Sequence, residues 1–258
     1  MTSFATAFAA VPTVTIGGLP VSVLDRDATA DLMIRAASEH PRGHRPLYLT
    51  SANGEVIALA SRDAEIAALF RSADQIVADG QPMVLASRLV CRTPLPERVA
   101  TTDLFHDVAR RAQATGQTFY LLGATESENR KAVDAVRAAY PRLRIAGHAH
   151  GYLRGQELID KLDEINALAP DILWLALGVP HEQKFVRDHA HRLSNVAVIK
   201  TSGGLFNFLS GTKARAPGWM QAIGLEWLWR LALEPRRLLW RYLSTNPRAL
   251  FLVLTRSN

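Results

Sequence analysis

Short apolar runs alternate along the chain with longer stretches in which apolar residues recur every three or four positions. The short runs predict strands at Pro20–Leu24, Pro46–Ser51, Gln75–Ala78, Thr118–Leu122, Arg144–Gly147, Ile172–Leu177 and Val196–Lys200. The longer ones predict helices over Ala28–Ser38, Glu55–Arg71, Met83–Val90, Asp103–Thr115, Ser127–Ala139, Gly155–Leu168 and His181–Arg192. Strands that are apolar almost throughout, separated by amphipathic helices, indicate a parallel sheet buried on both faces. The expected fold class is α/β, a Rossmann-like and mostly parallel sheet covered by helices. After Gly211 only helical spacing remains, with Pro217, Pro235 and Pro247 placed to start or break helices. That change divides the chain into an α/β domain over residues 1–210 and a helical appendage over residues 211–258.

Charge sharpens the division. The appendage holds eight Lys or Arg (Lys213, Arg215, Arg230, Arg236, Arg237, Arg241, Arg248 and Arg256) against two acids, Glu226 and Glu234. Its charge of +6 equals the formal net charge of the whole protein, so residues 1–210 are neutral as a block. Four of the five tryptophans (Trp219, Trp227, Trp229 and Trp240) lie in the same stretch. Arg and Trp interleaved with Leu on short helices suit a surface that meets anionic headgroups and acyl chains together. Clustered Lys and Arg beside a membrane contribute roughly 1 kcal/mol each.

No run approaches the ~20 apolar residues that a spanning helix needs. Residues 1–14 lack the basic leader region of a signal peptide. The expectation is a protein that lies on a membrane without crossing it. The single cysteine, Cys91, excludes an internal disulfide and fits a reducing cytoplasm. Nucleic acid is not an expected partner: the positive charge is confined to a Trp- and Leu-rich tail, without zinc spacing, an RNA-binding signature or a helix-turn-helix pattern.

In an open parallel sheet, ligands bind outside the carboxyl ends of the strands. Those ends read Ser51-Ala52-Asn53-Gly54, Asp79-Gly80, Gly123-Ala124, Gly178-Val179-Pro180 and Ser202-Gly203-Gly204. Glycines there let the backbone approach a ligand and offer amide N–H groups to phosphate. Singly they are ordinary turn chemistry; together they outline one anion-binding rim.

The ordered blocks Ser51-Ala52-Asn53-Gly54-Glu55, Ala78-Asp79-Gly80, Leu95-Pro96-Glu97-Arg98-Val99, Leu177-Gly178-Val179-Pro180 and Gly203-Gly204-Leu205-Phe206-Asn207-Phe208-Leu209-Ser210-Gly211 resemble the WecG/TagA/CpsF family of bacterial glycosyltransferases. Arg215-Ala216-Pro217, Gly224-Leu225-Glu226-Trp227-Leu228, Arg230-Leu231 and Glu234-Pro235-Arg236-Arg237 resemble that family's C-terminal appendage. The resemblance implies an enzyme that moves a sugar from a UDP-sugar donor to a sugar on a polyprenyl diphosphate. Its place would be the cytoplasmic face of the cell membrane, where it serves cell-surface polysaccharide or exopolysaccharide synthesis. The resemblance also implies inversion at the anomeric carbon, no cofactor or essential metal, and an appendage that helps complete the active site at the bilayer.

An inverting transfer needs a carboxylate to accept the proton of the attacking hydroxyl. Asp79 ends the apolar strand Ile76-Val77-Ala78, and Gly80 leaves room beside it. Its position equally suits an N-cap for the helix after Pro82; the resemblance favours the base. Ser51 and Asn53, two residues apart on one strand face, suit sugar hydroxyls, although Asn53 could instead cap the helix at Glu55. Arg98 lies in an irregular Pro-containing segment, where its guanidinium would neutralise a leaving diphosphate in place of a metal, or else pair with Glu97 or Asp103. In His181-Glu182-Gln183-Lys184 the amide and carboxylate are exchanged relative to the usual family order; Gln183 is the expected substrate contact and Glu182 the alternative. Arg230, Arg237 and Arg241, spaced by seven and four, are expected to clamp a lipid-linked diphosphate, with Pro235 interrupting their helix.

Two rival readings remain open at this point. Asp25-Arg26-Asp27 matches the Asp-x-Asp pattern of metal-dependent sugar transferases, but it directly precedes a helical run, where capping is the simpler role. A non-enzymatic membrane- or nucleic-acid-binding module is the other. The histidines at 148, 150, 181, 189 and 191 have no carboxylate or cysteine spacing that would complete a zinc site.

Overall fold

The computed structural model describes residues 11–222 and 224–258, without the side chains of Ala222, Arg237 and Arg241. Residues 1–10, most of the segment read above for leader character, lie outside the described residues. The chain begins with β1 (Thr13–Ile16), β2 (Leu19–Ser22), α1 (Arg26–Glu39), β3 (Leu47–Ala52), α2 (Gly54–Ala60), α3 (Ala64–Arg71) and β4 (Gln75–Ala78). It continues through α4 (Gln81–Val90), α5 (Thr101–Thr115), β5 (Thr118–Gly123), α6 (Glu126–Ala139), β6 (Arg144–Ala149), α7 (Gly155–Leu168) and β7 (Ile172–Ala176). Then follow α8 (His181–His189), β8 (Val198–Thr201), α9 (Leu205–Leu209), α10 (Gly218–Ala222), α11 (Glu226–Leu233) and α12 (Pro235–Thr255).

Six strands form a sheet in the order β4-β3-β8-β7-β5-β6, parallel at every pairing, and β1 and β2 make a separate antiparallel hairpin. The last two strands of the sheet thus fill the space between β3 and β5. This brings the carboxyl ends of β4, β3 and β8 together from distant parts of the sequence. At the end of β5, Gly123 has φ +143°, and a Cβ there would stand 2.2 Å from the Ala176 carbonyl oxygen, so only glycine fits.

One sheet face packs Leu47, Leu49, Val77, Trp174 and Val198 against α1, α5 and α6; the other packs Tyr48, Tyr120, Leu173 and Ile199 against α7 and α8. A third apolar cluster joins the hairpin residues Ile16 and Leu19 to Val56 and Ile57 of α2, Met83 and Val84 of α4, and Leu252 and Val253 of α12. The end of the appendage therefore packs into the core. A Cβ at Gly54 would lie 3.3 Å from Ala249 Cβ, the Gly18 amide donates to the Arg256 carbonyl at 3.0 Å, and Asn258 N–H donates to the Thr15 carbonyl at 3.1 Å.

Three details differ from the sequence pattern. Strand β1 was not predicted. The single helix expected over Glu55–Arg71 is two, because Asp63 Oδ1 accepts from Glu65 N at 2.8 Å and Ile66 N at 3.2 Å and so starts α3 afresh. Pro235 opens α12 as expected, whereas Pro247 lies inside that helix and does not end it.

Candidate active site

Side chains two residues apart on a strand share a face. Leu49 and Ser51, Val77 and Asp79, and Val198 and Lys200 therefore run in register on one side of the sheet, ending at the carboxyl edge of β3, β4 and β8. Past that edge, the Val99 amide donates to the Ala78 carbonyl at 2.8 Å, which lays the Pro-containing segment against the end of β4. Arg98 and Thr101 are thereby delivered to Asp79.

Asp79 does not cap a helix. Helix α4 starts from Gly80 without a side-chain cap, and Asp79 turns to the other side. Its Oδ2 accepts from Thr101 Oγ1 at 3.1 Å and Thr101 N at 3.3 Å, and its Oδ1 from Arg98 Nη2 at 3.3 Å. Three of a carboxylate's about four lone-pair sites are taken among the described residues, and the Asp79 side chain stays 22 % exposed, which leaves it accessible to a ligand. Behind it, Ser51 Oγ lies 3.1 Å from Thr101 Oγ1 and accepts from Lys200 Nζ at 2.8 Å. Lys200 is fully buried (0 % exposed) and also donates to the Thr201 carbonyl at 2.8 Å. Burial pulls its ammonium down to about 8, against the opposing attraction of Asp79 and Glu182.

Arg98 continues the array into the appendage. Its Nη1 donates to Glu226 Oε2 at 2.8 Å, and Glu226 Oε1 accepts from Arg230 Nη2 at 2.5 Å. Burial alone would raise the Glu226 carboxyl, but Arg230 and Arg98 outweigh it and hold it below the ordinary carboxylate range. Arg230 also stacks its guanidinium 5.1 Å from the centre of the Phe208 ring. A second cross-link is the Arg215 guanidinium on the Asp103 carboxylate, with Arg215 Nη2 also donating to Gln221 Oε1 at 2.6 Å. Beside Arg98 a cleft of about 310 Å³ opens, lined by Gln81, Arg88, Glu97, Asp103 and Gln221 among others.

The remaining expected residues fall differently. Asn53 caps α2, its Oδ1 accepting from Val56 N at 3.1 Å; its NH2 group has no partner among the described residues. Gln183 and Glu182 are both buried and make no hydrogen bond to Asp79, Arg98, Thr101, Ser51 or Lys200 among the described residues, although the Glu182 charge acts on Lys200. Gln183 Nε2 donates to Thr50 Oγ1 and Glu182 Oε1, each at 3.3 Å, and Thr50 faces away from Ser51. Glu182 Oε2 accepts the Gly203 amide at 2.9 Å, which takes that N–H out of the anion-binding rim. Burial raises the Glu182 carboxyl despite the Gly203 N–H and Lys200. Arg237 and Arg241 fall on α12, but their side chains lie outside the described residues. Asp25 Oδ1 caps α1 by accepting from Ala28 N at 2.7 Å, and Asp27 pairs with Arg111, so this pair is occupied by structural contacts. Among the described residues no cluster of three or more His, Cys, Asp or Glu could hold a metal ion.

The sequence model of the glycosyl transferase WecG/TagA/CpsF family matches residues 14–258. The chain belongs to this family. Similar proteins include the N-acetylglucosaminyldiphosphoundecaprenol N-acetyl-beta-D-mannosaminyltransferase of Bacillus subtilis (strain 168), 32% identical over 206 residues, which are 80% of this chain and 78% of that protein. The Staphylococcus aureus (strain MRSA252) protein of the same name is 28% identical over 194 residues, 74% of each chain. As a member of the family, the protein is a glycosyltransferase of polysaccharide biosynthesis.

Thr101, Lys200 and Glu226 were not singled out as site residues from the sequence of this glycosyltransferase. Lys200 left one signal, a charged residue in an otherwise apolar strand at the sheet's carboxyl edge. The appendage shows two opposed faces. Leu238, Thr245, Ala249 and Leu252 of α12 are buried, while Leu239, Leu243, Leu250 and Leu254, on another stripe of the same helix, are exposed. Trp219 (65 % exposed), Trp240 (77 %) and Phe251 (64 %) are bare as well, as are Leu85 and Leu89 of α4. Among the described residues no helix is long and apolar enough to cross a membrane.

Proposed function

We propose that the protein transfers a sugar, with inversion, from a UDP-sugar to a hydroxyl of a polyprenyl-diphosphate-linked sugar while bound peripherally to the inner face of the cell membrane. The observation that carries the reading is the setting of Asp79, a carboxylate at the carboxyl edge of a parallel sheet, aimed by Thr101 and Arg98 and not used as a cap. In this reading the acceptor oxygen bonds to the anomeric carbon and gives its proton to Asp79. The bond from that carbon to the UDP phosphate oxygen breaks, and its electron pair leaves with the diphosphate.

Arg98 and Arg230 offer guanidinium groups to the diphosphate, and Arg237 and Arg241 extend the cationic set along α12. The Asn53 NH2 donates to a sugar hydroxyl. Ser51 offers it an oxygen lone pair. The names of the relatives support an acceptor on a polyprenyl diphosphate, and the exposed Trp, Phe and Leu beside arginines support contact with lipid.

The test incubates the full chain with a panel of UDP-sugars and a short-chain prenyl-diphosphate N-acetylglucosaminide, and weighs the product. A gain of one sugar is expected. Asp79→Asn should lose activity by roughly 100- to 10,000-fold while still unfolding in one cooperative transition. Wild-type turnover in that variant refutes the base, and the absence of product with every UDP-sugar refutes the donor assignment.

A further inference from the structure

The polar line that runs inward from Asp79 has a fixed direction. A threonine hydroxyl carries one hydrogen, and Thr101 gives it to Asp79 Oδ2 at 3.1 Å. Ser51, 3.1 Å from Thr101 Oγ1, must then be the donor in that contact. Ser51 in turn accepts from Lys200 Nζ at 2.8 Å, and an ammonium group can only donate. Each link in the series Lys200, Ser51, Thr101 therefore donates toward Asp79, while Lys200 spends a second hydrogen on the Thr201 carbonyl. The sheet order makes the line possible: β8 lies beside β3, which lies beside β4, and each contributes the side chain at the same edge.

A fully buried ammonium is expensive to desolvate and needs a reason to persist. The charged groups bearing on Lys200 are Asp79 beyond β4 and Glu182 on α8, with Arg98 on the far side of Asp79. Its neighbours from β3 and β7, Leu49, Ser51 and Trp174, carry no charge, and Asp103 of α5 is turned to Arg215. The Glu182 carboxylate takes its hydrogen bonds from the Gly203 amide and Gln183 Nε2, and none from Lys200. Hydrogen bonds in series polarise one another in a low-dielectric interior, so the charge of Lys200 is felt at the end of the line.

We propose that Lys200 is a positioning residue for the transfer reaction, acting through Ser51 and Thr101 to orient and polarise Asp79 without touching substrate. The inference rests on Asp79 being the base, and it deepens that reading by giving Ser51 and Thr101 a shared task. It also predicts where control over the base lies: on β8, at a position that sees no solvent.

Three variants of the full-length protein test it, with turnover, KM for the sugar nucleotide, pH profile and melting measured for each. In the wild type, kcat should decline as pH rises through about 8, where the buried ammonium loses its proton. Lys200→Met should lower kcat by roughly 10- to 100-fold, leave KM within about 2-fold, and lack that alkaline decline. Thr101→Val keeps the backbone N–H to Asp79 and cuts only the hydroxyl link, so it should lower kcat and abolish the same decline while Lys200 remains. A folded Lys200→Met protein with wild-type kcat and pH profile overturns the proposal, as does a Thr101→Val protein that keeps the alkaline decline. If Lys200→Met does not fold, Thr101→Val decides alone. Asp79→Asn is measured in parallel: full activity there defeats the base assignment itself, whereas an inactive Asp79→Asn beside an unaffected Lys200→Met defeats only the positioning role.

Discussion

Arg98 joins Asp79 to Glu226, placing one guanidinium nitrogen 3.3 Å from the first carboxylate and another 2.8 Å from the second. The two acids come from the end of β4 and the start of α11, so the candidate base and the appendage meet on one cation. Asp79 and Arg98 are partly buried and Glu226 is buried, so breaking the contact leaves a carboxylate that water reaches poorly. The contact fixes where α11 sits relative to Asp79.

Removing that cation should be felt twice. Arg98→Met is expected to cost about 1–3 kcal/mol in denaturant unfolding and to lower turnover as well. Arg98→Lys restores charge but cannot fork between two carboxylates, so it should recover stability better than activity. Equal recovery of both would show that the fork has no role in the reaction.

Acid should loosen the same joint. Glu226 is held below the ordinary carboxylate range, so its stabilising contribution is full above its unfolded pKa of about 4.5 and is lost as pH falls through the lower folded value. Wild-type stability should therefore fall more steeply below about pH 4.5 than that of Glu226→Gln. Parallel curves in acid would contradict the assignment.

Asn53 carries two separable duties. Asn53→Ala removes the cap of α2 and should cost about 1 kcal/mol. Asn53→Asp keeps a capping oxygen but has no NH2 donor, so its melting should match wild type. Both variants should raise KM for the sugar nucleotide if the NH2 meets substrate. An Asn53→Asp protein with normal KM would leave only the capping role.

Lipid contact is better tested by substitution than by deletion. Cutting away residues 211–258 would strip Leu252 and Val253 from the core they share with Ile16, Leu19 and Ile57, at about 1.5–3 kcal/mol for each buried side chain. Trp240→Ser with Phe251→Ser touches only exposed groups and should leave unfolding within about 0.5 kcal/mol of wild type. Sedimentation with anionic vesicles should fall at least about tenfold, since each inserted ring contributes more than 1 kcal/mol. Unchanged sedimentation would remove the appendage from the membrane reading.

The parallel sheet was legible because strands buried on both faces stay apolar from end to end, as in Ile172–Ala176. Strand β1 escaped because Thr13–Ile16 alternates polar with apolar and lacks the continuous apolar run that marks the strands of the buried sheet. The break between α2 and α3 escaped because the apolar period runs straight through it, and only the Asp63 cap interrupts the backbone. In the site, Asp79 and Arg98 were visible as residues and their contact follows from the structure. Lys200 and Thr101 were not, because their roles depend on β8 lying beside β3, a non-local pairing that no local spacing records. Glu226 was visible as an acid in a basic tail and as part of a block resembling the family appendage, but its contact with Arg98 follows only from the structure.

Helix α12 is welded to the fold along one stripe and bare along another. A surface that receives the bare side receives the whole molecule in one attitude, and the height of Asp79 above that surface becomes a constant of the fold. On the proposed membrane contact, the protein would therefore serve acceptors presented at one fixed standoff from the interface.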